Sequence, residues 1–407
     1  MHENIITLLM ENAVQHLYVT NRATAATAHR LSGNSPSFHC EVSTNEKIAY
    51  ELALAGAYAG KRCACILSTE GLYEALDPVM SSAYTGVAGS FLIVAVQEND
   101  EEVTPLGLFS KLPLIAAETR DELARAVRYG FDASEEYRIP IIVQAVPDRY
   151  DEGAKTGGGQ GTKPQAKAAS FIKEPGRWAA TPKFRFSLHG ELNEKIKKVS
   201  EAFETYEDNI VVKRGSTGLV TDRFSRLAFY DEDASVLKLA TIFPLPHKLV
   251  QGFIDGMDEV LVVETYPAIE LQIPDRTKVK SGFVESGRGR PQYDEVIAGF
   301  TVVRDRLGPA SSINMAHGIK KLHPEKNILA VTFEDHFFHS GMPAYVNTLY
   351  NGSSCPLLIM VSQREEEIRR ILGSYGVKSI FAIGTVDELA RFRDTTEPVA
   401  IFYRGMI

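Results

Sequence analysis

Short apolar segments alternate with helical patterns along residues 1–150. Four of these segments have strand length and are apolar at nearly every position: 63–67, 91–96, 112–115 and 140–146. Residues 121–137 instead place apolar side chains three or four positions apart with charges between them, which is typical of a helix that covers a sheet. Strands that alternate with helices at this spacing predict a parallel α/β sheet.

Two later regions, 176–280 and 300–407, repeat this alternation. The predicted helices are 193–205, 247–254 and 364–372, and the predicted strands are 234–239, 260–264, 328–332, 357–361 and 398–403. Between the first and second regions, residues 151–175 are rich in Gly, Lys, Gln and Ala without periodicity, which predicts a flexible linker. The pattern therefore predicts three α/β domains in one chain.

Composition narrows the function classes. A net charge of −8 argues against a nucleic-acid partner, which would call for a basic face. The longest apolar runs are far shorter than the roughly 18 residues that a membrane helix needs, and the polar N-terminus does not resemble a signal peptide. The four cysteines form no CxxC pair, so we expect no zinc site or iron–sulfur cluster, and reduced thiols in a cytoplasmic protein.

Residues 38–60 combine a short extended run with a helix rich in Ala and Gly. Ser43, Thr44 or Asn45 can cap this helix, which places Glu46 in its first turn. Glu46 has two interpretations. It is an acid favoured by the helix dipole, or it is a carboxylate presented to the ring nitrogen of a ligand.

Residues 41–62, EVSTNEKIAYELALAGAYAGKR, and 71–96, GLYEALDPVMSSAYTGVAGSFLIVAV, carry a family resemblance. They resemble the pyrimidine-binding domain of the 2-oxoacid:ferredoxin oxidoreductases, and most of all the alpha chain of indolepyruvate:ferredoxin oxidoreductase. The resemblance implies thiamine diphosphate as cofactor, with Glu46 bonded to its aminopyrimidine ring. A carboxylic acid at that position favours the imino tautomer that removes the C2 proton of the cofactor.

The resemblance extends over nearly the whole chain outside the linker. Residues 234–265 resemble the transketolase C-terminal-like domain of the same alpha chains, and 311–361 resemble their diphosphate-binding domain. The implied fold is α/β, with three parallel-sheet domains of the thiamine-enzyme type. We place a pyrimidine-binding domain at 1–150, the linker at 151–175, a transketolase C-terminal-like domain at 176–285 and a truncated diphosphate-binding domain at 286–407.

The resemblance also assigns roles to single residues of the third domain. His339 joins Glu46 as a catalytic candidate, while Ser340, Gly341 and Asn351 are candidates for cofactor binding. The metal candidates, which would hold the Mg²⁺ of the diphosphate, are Glu334 and Asp335.

Several positions depart from the family pattern. Where the family has a Gly-Asp pair at a strand end, this chain has Phe333 and Glu334, so a phenyl ring lies where the diphosphate is expected. Ser362 and Gln363 replace an Asp-Asn pair that completes the magnesium shell. Residues 285–295 lack the expected cysteine motif, and we expect no ferredoxin-like cluster domain.

Other groups carry weaker hypotheses. Glu334, Asp335, His336 and His339 could form a new metal cluster, since carboxylates and imidazoles are adequate ligands. Further candidates, each with a structural alternative, are Glu264 at a strand end, His317, and the basic pair Arg288 and Arg290.

Three functions remain open from the sequence. The first is a diverged thiamine-dependent oxidoreductase or decarboxylase subunit that acts on an aryl-pyruvate-like 2-oxo acid with a gamma-type partner. The second is a non-catalytic paralogue that serves as a scaffold or regulatory subunit. The third is a repurposed pocket with Arg22 and His336 as new polar groups. In each case we expect a homodimer or heteromer.

Overall fold

The computed structural model describes residues 1–33, 35–97, 102–146, 170–171, 173–178, 181–227, 230, 233–283, 295–298, 301–304, 309–393 and 395–405. Side chains are not described in the strand segments 282–283, 295–298 and 301–304. The linker prediction falls almost wholly outside these ranges, as do Arg288, Arg290 and most of the segment 285–295. The chain divides into a first unit, 1–289, and a second unit, 290–407.

The first unit begins with the elements of a seven-stranded sheet, here called the first sheet. Its strands are β1 (His16–Val19), β2 (His39–Val42), β3 (Arg62–Ser68), β4 (Ser90–Val96), β5 (Leu114–Ala117) and β6 (Ile141–Ala145), joined by a later strand β10 (Thr241–Phe243). The helices are α1 (His2–Glu11), α2 (Arg22–Ser32), α3 (Glu46–Tyr58), α4 (Thr69–Glu74), α5 (Leu76–Thr85), α6 (Thr104–Ser110) and α7 (Arg120–Tyr137). The spatial order is β10-β5-β6-β4-β3-β1-β2, and only β10 is antiparallel to its neighbour.

A second sheet completes the first unit. It contains β7 (Ile210–Val212), β8 (Thr217–Thr221), β9 (Ser235–Lys238), β11 (Glu259–Glu264) and β12 (Val279–Phe283), in the order β12-β11-β8-β9-β7. The neighbouring helices are α8 (Pro175–Trp178), α9 (Pro182–Phe203) and α10 (His247–Asp255). All neighbouring strands are parallel except β7 and β9.

The second unit is built on a six-stranded sheet. Its strands are β13 (Glu295–Ala298), β14 (Thr301–Arg304), β15 (Ile328–Phe333), β16 (Leu357–Met360), β17 (Ser379–Ile383) and β18 (Val399–Tyr403), in the order β14-β13-β15-β16-β18-β17. Its helices are α11 (Ser311–Leu322), α12 (Glu334–His336), α13 (Met342–Tyr350) and α14 (Glu365–Ser374). Within this sheet, β15, β16, β18 and β17 are parallel neighbours. The three sheets are therefore mainly parallel, which confirms the predicted α/β class.

Element boundaries differ from the sequence prediction in two instructive places. The strand predicted over 112–115 begins two residues later, at Leu114, because Pro113 has no N–H to give to a ladder. The helix predicted from 193 begins at Pro182, a residue type that fits the first helical turn. The prediction began later because the residues after Pro182 show no clear amphipathic periodicity. The predicted domain boundaries at 150, 175 and 285 stay predictions.

Helix α3 packs against the first sheet as closely as its Ala and Gly content predicts. A Cβ placed on Gly56 would lie 2.6 Å from the sulfur of Cys63 on β3, so only glycine fits there without a shift. All four cysteines are free and buried. Burial is the main cause that raises the pKa of Cys40 to about 11 and of Cys63 to about 12, so these thiols stay protonated at neutral pH. Within the described helices, none is long and apolar enough to cross a membrane.

A buried ion pair joins β9 of the second sheet to α7, a helix that packs on the first sheet. Lys238 of β9 is fully buried, and its ammonium contacts a carboxylate oxygen of Glu122, whose side chain is 9% exposed. The other oxygen of Glu122 accepts the backbone N–H of Glu118 at 2.8 Å. Because neither charge can reach bulk water, each depends on the other.

We expect Lys238→Met to lower the free energy of unfolding of the first unit by about 3–5 kcal/mol, because it leaves the Glu122 carboxylate buried and unpaired. Adding Glu122→Gln should recover part of that loss, since the amide is neutral and can still accept from Glu118. The only tryptophan, Trp178, lies in this unit, so its fluorescence can follow urea unfolding.

The matched control is Lys280→Met, because Lys280 forms an exposed pair with Glu259 at 2.6 Å and 65% of its side chain is accessible. An exposed pair of this kind contributes little. If Lys238→Met were no more destabilising than Lys280→Met, the buried pair would not contribute to holding β9 against α7.

Candidate functional site

The first candidate group is Glu46, which follows β2 at the carboxyl edge of the first sheet. Of the three possible caps, Asn45 is the one that the structure uses, and its side chain accepts the N–H of Ile48 at 2.9 Å. Parallel strands end at one edge, and ligands of open α/β sheets bind outside that edge. Glu46 is therefore placed where a ligand-binding carboxylate is expected.

Gly71 in α4 makes room for the Glu46 side chain. A Cβ on Gly71 would lie 2.3 Å from Cγ and 3.1 Å from Cδ of Glu46, so the carboxylate arm rests directly on this glycine. Among the described residues, the Glu46 carboxylate has no hydrogen-bond or ion-pair partner. Ser43, three positions earlier, is buried, and its hydroxyl also has no partner in the described structure. Two polar groups of this short segment are thus uncommitted.

Sequence reasoning missed Gly71 as the partner of Glu46, although it opens the second stretch that carries the family resemblance. A glycine inside a helix is unfavourable relative to alanine, so its presence there is itself a signal of close approach. Which group approaches it can only be seen in the folded chain.

Another part of the same edge is closed by a buried network of four charges. The Arg223 guanidinium bonds Glu102 at 2.8 Å and Asp222 at 3.0 Å, and Arg226 contacts the same two carboxylates. Arg223 also donates to the side-chain oxygen of Gln97, just after β4, at 3.0 Å. All four charged side chains are at most 9% exposed. The network was not predicted, because nothing in the local sequence brings residues 102 and 223 together.

Burial alone would raise the pKa of Asp222, but Arg226 and Arg223 outweigh it and hold the pKa of that carboxyl below its usual value. Asp222 therefore stays ionised, and the network is electrically balanced. Both arginines are engaged by their own carboxylates, so this part of the edge is filled by the protein itself.

Glu264, a weaker candidate at the end of β11, has a structural role. Its carboxylate accepts the backbone N–H groups of Ala268 at 2.9 Å, Ile269 at 2.8 Å and Glu270 at 3.0 Å. Burial nevertheless raises the pKa of this carboxyl above its usual value. The side chain closes the turn that follows its own strand.

In the second unit, Glu334 follows β15 and reaches across to the loop after β16. Its carboxylate accepts the backbone N–H groups of Ser362 at 2.8 Å, Gln363 at 3.1 Å and Arg364 at 3.1 Å, and the Ser362 hydroxyl donates to the other oxygen. Glu334 is 7% exposed. Burial acts to raise the pKa of Glu334, but these hydrogen bonds outweigh it and leave the pKa below its usual value.

These bonds give the predicted metal ligand a different set of partners. Both oxygens of Glu334 are engaged by donors of the protein, and a metal ion would have to displace them. Asp335, the other metal candidate, is exposed. Of the described side chains, no three among Glu334, Asp335, His336 and His339 bring ligand atoms within 4.8 Å of one another, so the alternative four-residue cluster does not form. The metal roles of Glu334 and Asp335 stay predictions.

The remaining candidates lie along the π-helical turn Phe337–Gly341 and α13. His339 Nδ1 lies 2.8 Å from the Ser340 hydroxyl, which donates to the carbonyl of Pro309 at 2.7 Å. A Cβ on Gly341 would meet the Phe337 ring at 3.2 Å, so this glycine serves close packing. His339, Ser340 and Gly341 are thus each in contact with other groups of the second unit.

Asn351 does not join Ser340 and Gly341. It lies at the far end of α13, whose nine residues span about 13 Å, and its side-chain amide donates to Asn347 O at 2.8 Å. Ser340 and Asn351 are therefore at opposite ends of one helix, and a single phosphate cannot contact both.

Replacing Gly71 by alanine tests the close contact between Gly71 and the Glu46 side chain. The new Cβ should collide with Glu46 and cost about 1–3 kcal/mol of unfolding free energy, although alanine in a helix is otherwise favoured by about 1 kcal/mol. In a Glu46→Ala background the same change should be neutral or stabilising. A double-mutant cycle by urea unfolding measures this reversal of sign.

Gly252→Ala in α10 is the control, because a Cβ there meets nothing within 4 Å. It should have the same effect in both backgrounds. An equal cost of Gly71→Ala with and without Glu46 would mean that the two residues do not constrain each other.

Glu334→Gln tests the cap in the second unit. The folded pKa of Glu334 is lowered, so its contribution is complete above the unfolded pKa of about 4.3 and is lost as pH falls through the folded value. We expect the substitution to lower local stability by about 2 kcal/mol at pH 7, and the difference from wild type to shrink below about pH 4. Hydrogen exchange of peptides covering residues 362–374 measures it.

Glu388→Gln is the matched control. Its carboxylate also accepts backbone N–H groups, those of Gly384 and Thr385, but it lies at an exposed turn. It should leave exchange at 362–374 unchanged. Equal protection of this segment in wild type and Glu334→Gln at pH 7 would contradict the capping role.

Comparison with known proteins places this geometry in context. No family model matches the chain. The indolepyruvate oxidoreductase subunit IorA of Thermococcus kodakarensis is 29% identical over 263 residues, which cover 58% of this chain and 40% of that protein. The subunit of the same name from Archaeoglobus fulgidus is 23% identical, with 83% of this chain and 69% of the relative covered.

A solved structure shows the same fold. It is 2-oxoglutarate:ferredoxin oxidoreductase from Magnetococcus marinus, solved with 2-oxoglutarate, coenzyme A and succinyl-CoA bound. The match has a TM-score of 0.51 and 15% identity, and covers 70% of this chain and 61% of that one. This chain spans 40% of the length of the Thermococcus relative. The predicted resemblance is thus confirmed: the chain is similar in sequence to the IorA subunits of indolepyruvate oxidoreductase, and in fold to a 2-oxoacid:ferredoxin oxidoreductase.

Proposed function

We propose that this chain is an alpha-type subunit that no longer holds Mg²⁺ and diphosphate at the end of β15, and that it serves as a non-catalytic scaffold or regulatory subunit. One observation carries the proposal. The Glu334 carboxylate accepts three backbone N–H groups and one hydroxyl from residues 362–364, so it is committed to the protein fold. A carboxylate with four donors around it has little capacity left for a cation.

Thiamine diphosphate, when bound, supplies a carbanion that attacks the carbonyl of a 2-oxo acid. The residues present fit one end of that cofactor and not the other. Glu46 offers a carboxylate that has no partner among the described residues and that packs on Gly71, which suits an aminopyrimidine ring. The turn after β15 offers the committed Glu334 instead of an open metal ligand. This set of residues therefore supports no catalytic step through the cofactor.

A second candidate is supported by Glu46 itself. In this alternative the chain remains a thiamine-dependent oxidoreductase or decarboxylase subunit for an aryl-pyruvate-like 2-oxo acid, with Asp335 as metal ligand and His339 as catalytic group. It would act as a dimer or with a gamma-type partner. The four free, buried thiols fit the predicted cytoplasmic location of either form.

Calorimetric titration with thiamine diphosphate and Mg²⁺ separates the two candidates. We expect no saturable heat at millimolar cofactor, because the donors around Glu334 leave no open metal ligand for the diphosphate. Thermal unfolding in the same buffers should show no shift.

Micromolar binding, equivalent to about −8 kcal/mol, would contradict the proposal and favour the catalytic alternative. In that event Glu46→Gln should abolish turnover on a panel of 2-oxo acids. Glu51→Gln on the same helix is the control, because Glu51 only pairs with Lys47 at the exposed surface of α3.

A further inference from the structure

A cavity of about 450 Å³ lies in the second unit at the edge opposite to Glu334. Its lining residues come from the end of α11 and from the loops that precede three adjacent parallel strands. Asn327 stands just before β15, Ser354 lies in the loop before β16, and Thr396 lies in the loop before β18. The cavity is thus at the amino edge of the sheet, and its size is that of a small-molecule site.

Positive charge dominates its lining. The lining includes Lys320, Lys321 and Arg393, against the single described carboxylate of Glu325. Lys321 and Arg393 are exposed and have no ion-pair partner among the described residues. These two cations are available to an anion from outside.

Lys320 is fixed in position at the rim. Its ammonium donates to the carbonyls of Pro324 at 2.8 Å and Lys326 at 2.7 Å. An ammonium has three donors, so one remains after both carbonyls are satisfied. Lys320 is therefore held against the loop that follows α11 and keeps one free N–H.

The cavity also contains an unsatisfied buried hydroxyl. Ser353 is 7% exposed and lines the cavity, while its Oγ has no hydrogen-bond partner in the part of the chain that the structure describes. Its backbone is held by the N–H bond to the carbonyl of Thr348 at 3.1 Å. An unpaired buried hydroxyl is costly in a folded protein, and a bound acceptor would remove that cost.

We propose that this cavity binds the phosphate group of a small phosphorylated molecule. Two uncommitted cations and a fixed ammonium supply the charge, and Ser353 supplies a hydroxyl donor. Lys320 and Lys321 lie in the last turn of α11, where a basic side chain also stabilises the helix dipole. Arg393 comes from a separate element, since it is the C-cap residue of the 3₁₀ segment Val386–Phe392 before β18.

The cavity lies at the amino edge of the sheet, whereas the proposed function rests on Glu334 at the carboxyl edge. Binding of phosphate in the cavity is therefore independent of the proposed function. We would titrate the full chain at low ionic strength with inorganic phosphate and then pyrophosphate, by calorimetry and ³¹P NMR. We expect saturable binding with a Kd below about 1 mM for at least one of the two probes. Lys321→Glu and Arg393→Glu should each weaken it about tenfold or more, because each turns an attraction into a repulsion.

Two further variants sharpen the test. Lys378→Glu reverses an equally exposed lysine that does not line the cavity, and it should change affinity by less than about twofold. Ser353→Ala should weaken binding without lowering the melting temperature, since it removes an unpaired hydroxyl.

The absence of saturable binding with both probes would overturn the proposal. An equal loss in Lys378→Glu and Lys321→Glu would overturn it as well, because it would show only the effect of net charge.

Discussion

Backbone N–H groups at helix starts and after strands need acceptors, and at several places in this chain a glutamate carboxylate supplies them. Glu118 accepts the N–H groups of Phe224 and Ser225, each at 3.0 Å, and Glu264 accepts those of residues 268–270. Glu204 does the same for Lys248 and Leu249 at 2.8 Å. Glu334 extends this arrangement to the second unit. Such edges are stable without a ligand because the donors are already satisfied.

Glu46 differs from these glutamates because its carboxylate accepts no backbone N–H group among the described residues. It follows a strand of the same kind of sheet and begins a helix, yet Asn45 performs the capping and leaves the carboxylate uncommitted in the described structure. The close approach of Gly71 then fixes where the carboxylate arm lies. A residue held in place but not used by the fold is typical of a site that receives something from outside.

The α/β class and the role of Asn45 as a possible cap could be predicted from the sequence, because periodicity and capping are local properties. The strand β10 could not, since residues 241–243 leave the region of the second sheet and pair with β5 of the first. The contacts of Glu334 could not be predicted either, because they too depend on residues far apart in the sequence. Its partners are 28–30 positions away, and only the parallel pairing of β15 and β16 brings them together. Asn351 was grouped with Ser340 by resemblance, whereas the length of α13 separates them.

In the proposed function, Glu334 stands where the resembled family has an aspartate, and its contacts bear on how a chain could lose a cofactor and remain stable. A ligand that binds only the folded state at 100 times its Kd contributes about 2.7 kcal/mol. A hydrogen bond to a charged group contributes about 1.5–3 kcal/mol, and Glu334 accepts several. Glutamate is one methylene longer than aspartate, which lets its carboxylate reach the N–H groups of residues 362–364. The Glu334 carboxylate can therefore supply the stabilisation that a bound anion would give, and it does so without any ligand in solution. A fold stabilised in this way does not depend on a cofactor bound at that edge, as the proposed function requires.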